Sequence, residues 1–368
     1  MAEQLKNMFN AHSLGAFVNY LQKKYPGFEQ AKFFKTVFDE NWEKLELKAR
    51  VRHIALTLGN FLPSDFPTAA DILSQTAQSI KNDEERIFAF EFIFLPDFVE
   101  VFGLNHFEQS IEAIEIITQL ISAEFAVRPF IQKYPEKMMA QMLAWSKHPN
   151  AMVRRLASEG SRPRLPWGMA LKALKKDPSP ILPILENLKA DEAETVRKSV
   201  ANNLNDIAKD HPNLVLEIAE KWFGDNPKTD WIIKHACRTL LKKANDKALA
   251  HFGFNAINSL KVDNLTINQS VIQIGEVLEF SFHLSHQEAQ TTKLRVEYAI
   301  DYIKSQGGSS RKVFQIGETF YEPQKNYLIQ RKQRFQDFTT RKHYPGLHHL
   351  AIIVNGQEMI KTSFEVIK

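Results

Sequence analysis

The sequence predicts an all-α, HEAT-like helical-repeat solenoid followed by a small all-β immunoglobulin-like sandwich. Three observations lead there. Apolar residues recur at helical spacing up to about residue 257. A degenerate motif returns through the same stretch. After about Leu260 the apolar period switches to two. The expected domains are 1–257, helical, and 258–368, the sandwich.

The helical half is read from its stripes and its breaks. Ile111, Ile114, Ile117 and Leu120 mark one helix; 182–188 and 214–223 read the same way. Proline-containing breaks separate such segments: Leu62-Pro63, His148-Pro149, Asp177-Pro178-Ser179-Pro180, His211-Pro212 and Asn226-Pro227. A proline lacks the amide proton a helix interior needs, so each ends one helix or opens the next. The helices also resemble one another. Val51-Arg52-His53-Ile54-Ala55, Val153-Arg154-Arg155-Leu156-Ala157, Val196-Arg197-Lys198-Ser199-Val200-Ala201 and Ile232-Ile233-Lys234-His235-Ala236 share a pattern, the last three at steps of 43 and 36 residues. HEAT-type hairpins repeat every ~40 residues and stack into a solenoid with a concave face.

The sandwich is read from alternation. Leu278, Phe280, Phe282 and Leu284 form one strand face; Leu294, Val296, Tyr298, Ile300 and Tyr302 form another. Asn355-Gly356 between two apolar runs signals a tight hairpin.

Composition narrows the function classes. In 368 residues Cys237 is the only cysteine, which excludes an internal disulfide framework, a zinc ribbon and an iron–sulfur site held by this chain. The start lacks a secretory pattern, and the most apolar run, 87–102, is broken by Glu91, Asp97 and Glu100. A protein of a reducing cytosol without a membrane segment is expected. Glycine is never followed by lysine, so no GxxxxGK phosphate loop exists; HxD and GxSxG are absent too.

The net charge of +4 is mild, but its distribution is not even. From Trp145 to Lys176 lie Lys147, Arg154, Arg155, Arg162, Arg164, Lys172, Lys175 and Lys176, against the single acid Glu159. Such a window suits a phosphate backbone, and a solvated helix face is the alternative. Arg154/Arg155, Arg197/Lys198 and Lys234 hold equivalent repeat positions and are expected to form a stripe along one solenoid edge. A second cluster, Arg331, Lys332, Arg334, Arg341 and Lys342, is interleaved with Phe335, Phe338 and Tyr344. It reads either as a loop reaching a nucleic-acid groove or as edge-strand charges that block aggregation.

Inside the basic window, Ala157 to Trp167 is irregular. Gly160, Pro163 and Pro166 interrupt the helix, and Glu159 stands among arginines that favour its charged form. With Ser122 to Phe130 and Asn202-Asn203-Leu204-Asn205-Asp206, this segment resembles the bacterial alkylpurine DNA glycosylases of the AlkD/AlkC superfamily, AlkC branch. The second half resembles the immunoglobulin-like domain of that branch.

The resemblance implies excision of 3-methyladenine and 3-methylcytosine from alkylated double-stranded DNA, without conventional base flipping. It implies an active site of Glu124, Glu159, Trp167 and Asp206. Arg154, Arg155, Arg162, Arg164, Arg197, Lys198, Lys234, Arg331 and Arg334 are the candidate DNA contacts. The chemistry is compatible. A cationic base leaves neutral without a general acid, carboxylates stabilise the oxocarbenium-like sugar and orient water, and an indole face suits a cation. No metal or organic cofactor is called for, and no obligate protein partner is inferred. Structural roles compete at each position: Glu159 as partner of Arg155 or Arg162, Asp206 of Lys209, Glu124 as a helix-start acid, Trp167 as core. Trp145, Trp222 and Trp231 are expected to be packing residues. A HEAT-type DNA-binding protein without chemistry and a protein–protein adaptor are the other readings of the whole chain.

Overall fold

The computed structural model describes residues 5–83, 90–224, 226–338 and 342–368. These fall into two compact units. One runs up to His211 and includes Trp222–Ala236; the other comprises Pro212–Lys221 and Cys237–Lys368.

Sixteen α-helices are assigned among the described residues: α1 (Ala11–Lys24), α2 (Gln30–Val37), α3 (Leu47–Phe61), α4 (Phe66–Lys81), α5 (Phe94–Gly103), α6 (Phe107–Ile117), α7 (Val127–Lys133), α8 (Pro135–Trp145), α9 (Ala151–Gly160), α10 (Lys172–Lys176), α11 (Leu182–Leu188), α12 (Glu194–Ile207), α13 (Pro212–Trp222), α14 (Pro227–Ala236), α15 (Arg238–Lys242) and α16 (Asp246–His251). Their starts follow local chemistry. Asn10, Asp65, Asn150 and Asn245 accept amide protons at the first turns of α1, α4, α9 and α16, and Pro135 opens α8.

In the first unit α3 packs on α5, and α12 packs on both α9 and α14; a second set runs from α1 to α4 to α6. The four related segments lie on α3, α9, α12 and α14. Their shared pattern therefore marks equivalent helices of the repeat, in succession from α9 through α12 to α14. Val153, Val196 and Ile232 are fully buried.

In the second unit, β1 (Lys261–Ile267), β3 (Val277–Ser285) and β6 (Tyr327–Arg334) make one sheet in the order β1-β3-β6. The other holds β2 (Val271–Gln273), β4 (Thr292–Ile303), β5 (Ser309–Tyr321), β7 (Gly346–Val354) and β8 (Gln357–Ile367) in the order β2-β8-β7-β4-β5. The predicted alternation faces the space between the sheets: Phe280, Phe282, Val296, Ile300, Ile352 and Phe364 all belong to one core. The opposite face of β4 is buried as well, which alternation did not predict. There Arg295 contacts Glu297 at 2.5 Å and also pairs with Glu318 on β5, so a central strand carries charge only as closed pairs.

Asn355-Gly356 makes the expected β7–β8 hairpin, with φ of +47° and +82°. A Cβ at position 356 would lie 2.7 Å from Leu249 Cδ1 and 2.8 Å from Ala244 Cβ. Gly356→Ala is therefore expected to cost roughly 1–3 kcal/mol through backbone strain and overpacking. A urea unfolding midpoint indistinguishable from the wild type would refute this.

Candidate active site

The site in the helical unit begins where α9 ends. Gly160 is the last residue of α9, and a Cβ there would sit 2.6 Å from Val127 Cγ2 on α7. The chain then leaves the helix through Pro163 and Pro166 and reaches Trp167. This residue is 64 % exposed, with φ +63°, a left-handed conformation unfavourable for a side chain of that bulk. Lys48 on α3 donates to its carbonyl oxygen.

Behind this loop runs a line of alternating charges. Glu124 precedes α7; its Oε2 accepts from Ser122 Oγ at 2.8 Å and from Arg155 Nη1 at 2.9 Å. The other arm of Arg155 is 3.8 Å from Glu159 Oε1. Arg162 bridges the next two acids, reaching Glu159 Oε1 at 2.6 Å and Asp206 Oδ2 at 2.9 Å. Lys209 ends the line, 2.9 Å from Asp206 Oδ1. Glu159 and Arg162 are each 6 % exposed and Asp206 1 %. Burial opposes the charge on Arg162, and its two carboxylates more than offset this, leaving its pKa raised.

The predicted residues thus fall into two places. Glu124 and Trp167 line a cleft of about 520 Å³, together with Lys48, Arg52, Asp97, Glu100 and apolar side chains of α3, α5 and the α7 approach. Glu159 and Asp206 stand in the buried line behind. The competing structural pairings are also present: Glu159 with Arg155 and Arg162, Asp206 with Lys209. Trp167 is no core residue.

The basic window is less positive in space than in sequence. Arg154 grips Asp191 through Nε at 2.6 Å and Nη2 at 2.9 Å, and Arg164 grips Asp210 at 3.0 and 2.6 Å. Acids about one repeat downstream, Asp191, Asp206 and Asp210, pair with three of the eight bases in the window. Arg197 donates to the carbonyls of Asp191 and Glu192, and Lys198 pairs with Glu194 at 2.6 Å. Lys234 is half-buried on α14. Within the expected stripe, Arg154, Arg155, Arg197 and Lys198 all have partners inside their own unit, and Arg162, outside the stripe, is buried between two carboxylates.

In the sandwich, Arg331 and Arg334 are exposed on β6, an edge strand, while Lys332 pairs with Glu279 at 2.6 Å. Phe335 is fully buried in the sandwich core, so only Phe338 and Tyr344 remain as candidates for an aromatic loop. Arg341 lies outside the described residues. Trp145 and Trp222 are packing residues that donate to Glu115 and Glu186. Trp231 is not: it is 40 % exposed and stacks on His235.

Two features escape the sequence reading. One is the Arg52–Asp97–Glu100 cluster on the cleft wall, with contacts of 2.8 and 2.6 Å. Burial raises the pKa of both carboxylates, against the pull of Arg52. The sequence shows these acids only as interruptions of an apolar run. The other is Arg128, fully buried, which lies inside the Ser122 to Phe130 stretch but to which the sequence assigns no role.

A two-layer helical repeat with a carboxylate–arginine line beside an exposed tryptophan, joined to an immunoglobulin-like sandwich, defines a class. Residues 29–240 match the family described as "DNA alkylation repair enzyme", and the chain belongs to it. Residues 261–368 match the family "Uncharacterised protein YhaZ, C-terminal Ig-like domain". Among particular relatives, the chain is 48% identical over 362 residues to "Uncharacterized protein YhaZ" of Bacillus subtilis (strain 168), covering 98% of this chain and 99% of that protein. It also matches the structure of the Pseudomonas fluorescens alkylpurine DNA glycosylase AlkC bound to DNA containing an abasic site analog, with TM-score 0.93, 38% identity and both chains covered completely. The chain is therefore an AlkC glycosylase homologue over its whole length. No helix among the described residues is long and apolar enough to cross a membrane.

Proposed function

We propose that this protein excises cationic N3-alkylated bases, 3-methyladenine and 3-methylcytosine, from duplex DNA as the first step of base excision repair in the bacterial cytosol. The observation that carries the reading is the line Glu124–Arg155–Glu159–Arg162–Asp206, which starts on the cleft wall and ends in the protein interior. Homology to AlkC supports it.

The alkylated base already carries positive charge. When its bond to C1′ breaks, the electron pair goes to the base and neutralises it, leaving an oxocarbenium-like sugar. Glu124, on the cleft wall, stabilises that sugar and orients the water that adds to C1′; the proton the water loses passes to a carboxylate or solvent. Glu159 and Asp206 act from behind through their field, and Trp167 offers an aromatic face to the cation. Excision proceeds without conventional base flipping, and neither metal nor organic cofactor takes part. The glycosylase domain is 1–257 and the immunoglobulin-like domain 258–368.

Phosphate contacts fall to Arg164 and Lys198, whose side chains remain at least partly exposed beside their acids, and to Lys234 in the helical domain, and to Arg331 and Arg334 in the sandwich. Affinity for duplex DNA then falls steeply with salt.

The test is base release from duplex DNA carrying either lesion. Wild type is expected to release the base, and Glu159→Gln to be slower by about 10²-fold or more. Equal rates would remove Glu159 from the mechanism. A second reading draws on the fact that all three carboxylates are already ion-paired, as in a purely structural network. It makes the chain a HEAT-repeat DNA-binding protein, and predicts salt-sensitive duplex binding with no base released.

A further inference from the structure

We infer that Arg128 is the positioning residue of this site, holding the Trp167 loop by its backbone and supplying a buried positive charge to the carboxylate line. The inference rests on the function proposed above. Arg128, on α7, is 0 % exposed. Its Nε donates to Met169 O at 2.7 Å, and its Nη2 donates to the same oxygen. Its Nη1 donates to Gly160 O and Arg162 O, each at 2.9 Å. Three carbonyls around one guanidinium thus fix both ends of the loop between α9 and Met169. Gly168 leaves room for this arrangement, since a Cβ there would lie 3.2 Å from Arg128 Nε.

No carboxylate among the described residues forms an ion pair with Arg128. Buried arginines are ordinarily paired, because desolvating a lone charge is costly. Here the charge is instead balanced at longer range. The groups that act on it are Arg162, which opposes its charge, and Asp206, Glu124 and Glu159, which favour it. Burial first, and Arg162 next, bring its pKa down to about 10, so it remains a cation at neutral pH. Arg155 and Lys209 stand one contact further out, on Glu124 and Asp206. A lysine could keep the charge, but its single ammonium could not span three carbonyls; a glutamine would lose the charge as well.

Arg128→Lys and Arg128→Gln separate the two roles. Trypsin cleaves after Arg164 within the loop, whatever the protein's activity. Both variants are expected to be cut there at least roughly tenfold faster than wild type at a temperature where all are folded, because loop opening controls cleavage. In single-turnover base release both are slowed by roughly tenfold or more. The acidic limb of the rate moves to higher pH by about one unit in Arg128→Gln, since a cation favouring charged carboxylates is gone, and stays in place in Arg128→Lys. Unchanged cleavage in Arg128→Lys would overturn the loop role. A slower Arg128→Gln with an unmoved limb would overturn the electrostatic role. If Arg128→Gln does not fold, an Arg128→Lys limb displaced by as much as a full unit overturns the electrostatic role. A wild type that releases no base would sink the proposed function while leaving the cleavage result to judge the loop.

Discussion

Arg162→Leu is expected to abolish detectable base release and to lower stability by about 3–5 kcal/mol at neutral pH. Among the described residues the guanidinium is the sole bridge between Glu159 and Asp206, at 2.6 and 2.9 Å, in a region only a few per cent exposed. Leucine matches much of the buried volume, so packing loss is secondary. The main cost is two carboxylates deprived of their common partner, Asp206 keeping Lys209 and Glu159 keeping Arg155 at 3.8 Å. The sign of the pH dependence follows. In the variant, the two buried carboxylates lose the cation they share, which penalises their charged forms. The deficit relative to wild type is therefore expected to be smaller at pH 5 than at pH 7. Urea unfolding at pH 7 and pH 5 measures this. A variant within about 1 kcal/mol of wild type at both values would show that the line does not depend on Arg162.

Trp167→Gly is expected to separate activity from stability. The side chain is 64 % exposed and its backbone is held at φ +63°. Glycine relieves about 1–2 kcal/mol of left-handed strain. Against this stand a modest loss of packing and about 0.4–1 kcal/mol from the greater freedom of the unfolded chain. The melting temperature should therefore hardly move or should rise. Base release should fall by roughly 10–100-fold, because the aromatic face for the cation is gone. Trp167→Phe, which restores an aromatic face and reinstates the strain, should recover part of the rate. Wild-type activity in the glycine variant would make Trp167 a bystander whose strain has another cause.

Much of the architecture is legible in periodicity. A 3.6-residue stripe and a two-residue alternation are local properties, and both survive folding unchanged. The hairpin at Asn355-Gly356 is legible for the same reason, since its turn chemistry lies in two adjacent residues. The buried outer face of β4 is not, because alternation cannot tell solvent from a closed ion pair. Phe335 shows the same limit: its basic neighbours suggest a surface loop, while the sandwich places it in the core.

The site divides along the same line. That the chain is a helical repeat followed by a sandwich, with an acid set among arginines where a helix must break, follows from the amino-acid order alone. Glycine, proline and apolar spacing act over a few residues, and water sorts them before any distant contact forms. Which arginine meets which carboxylate was decided only by the tertiary structure. Asp191, Asp206 and Asp210 reach Arg154, Arg162 and Arg164 across 37 to 46 positions, turning a basic window into a paired one. Arg128 gained its role in the same way, because a buried cation satisfied by carbonyls takes its meaning from the loop folded over it. Coulomb and hydrogen-bond energies depend on distance in space, and the sequence records distance only along the chain.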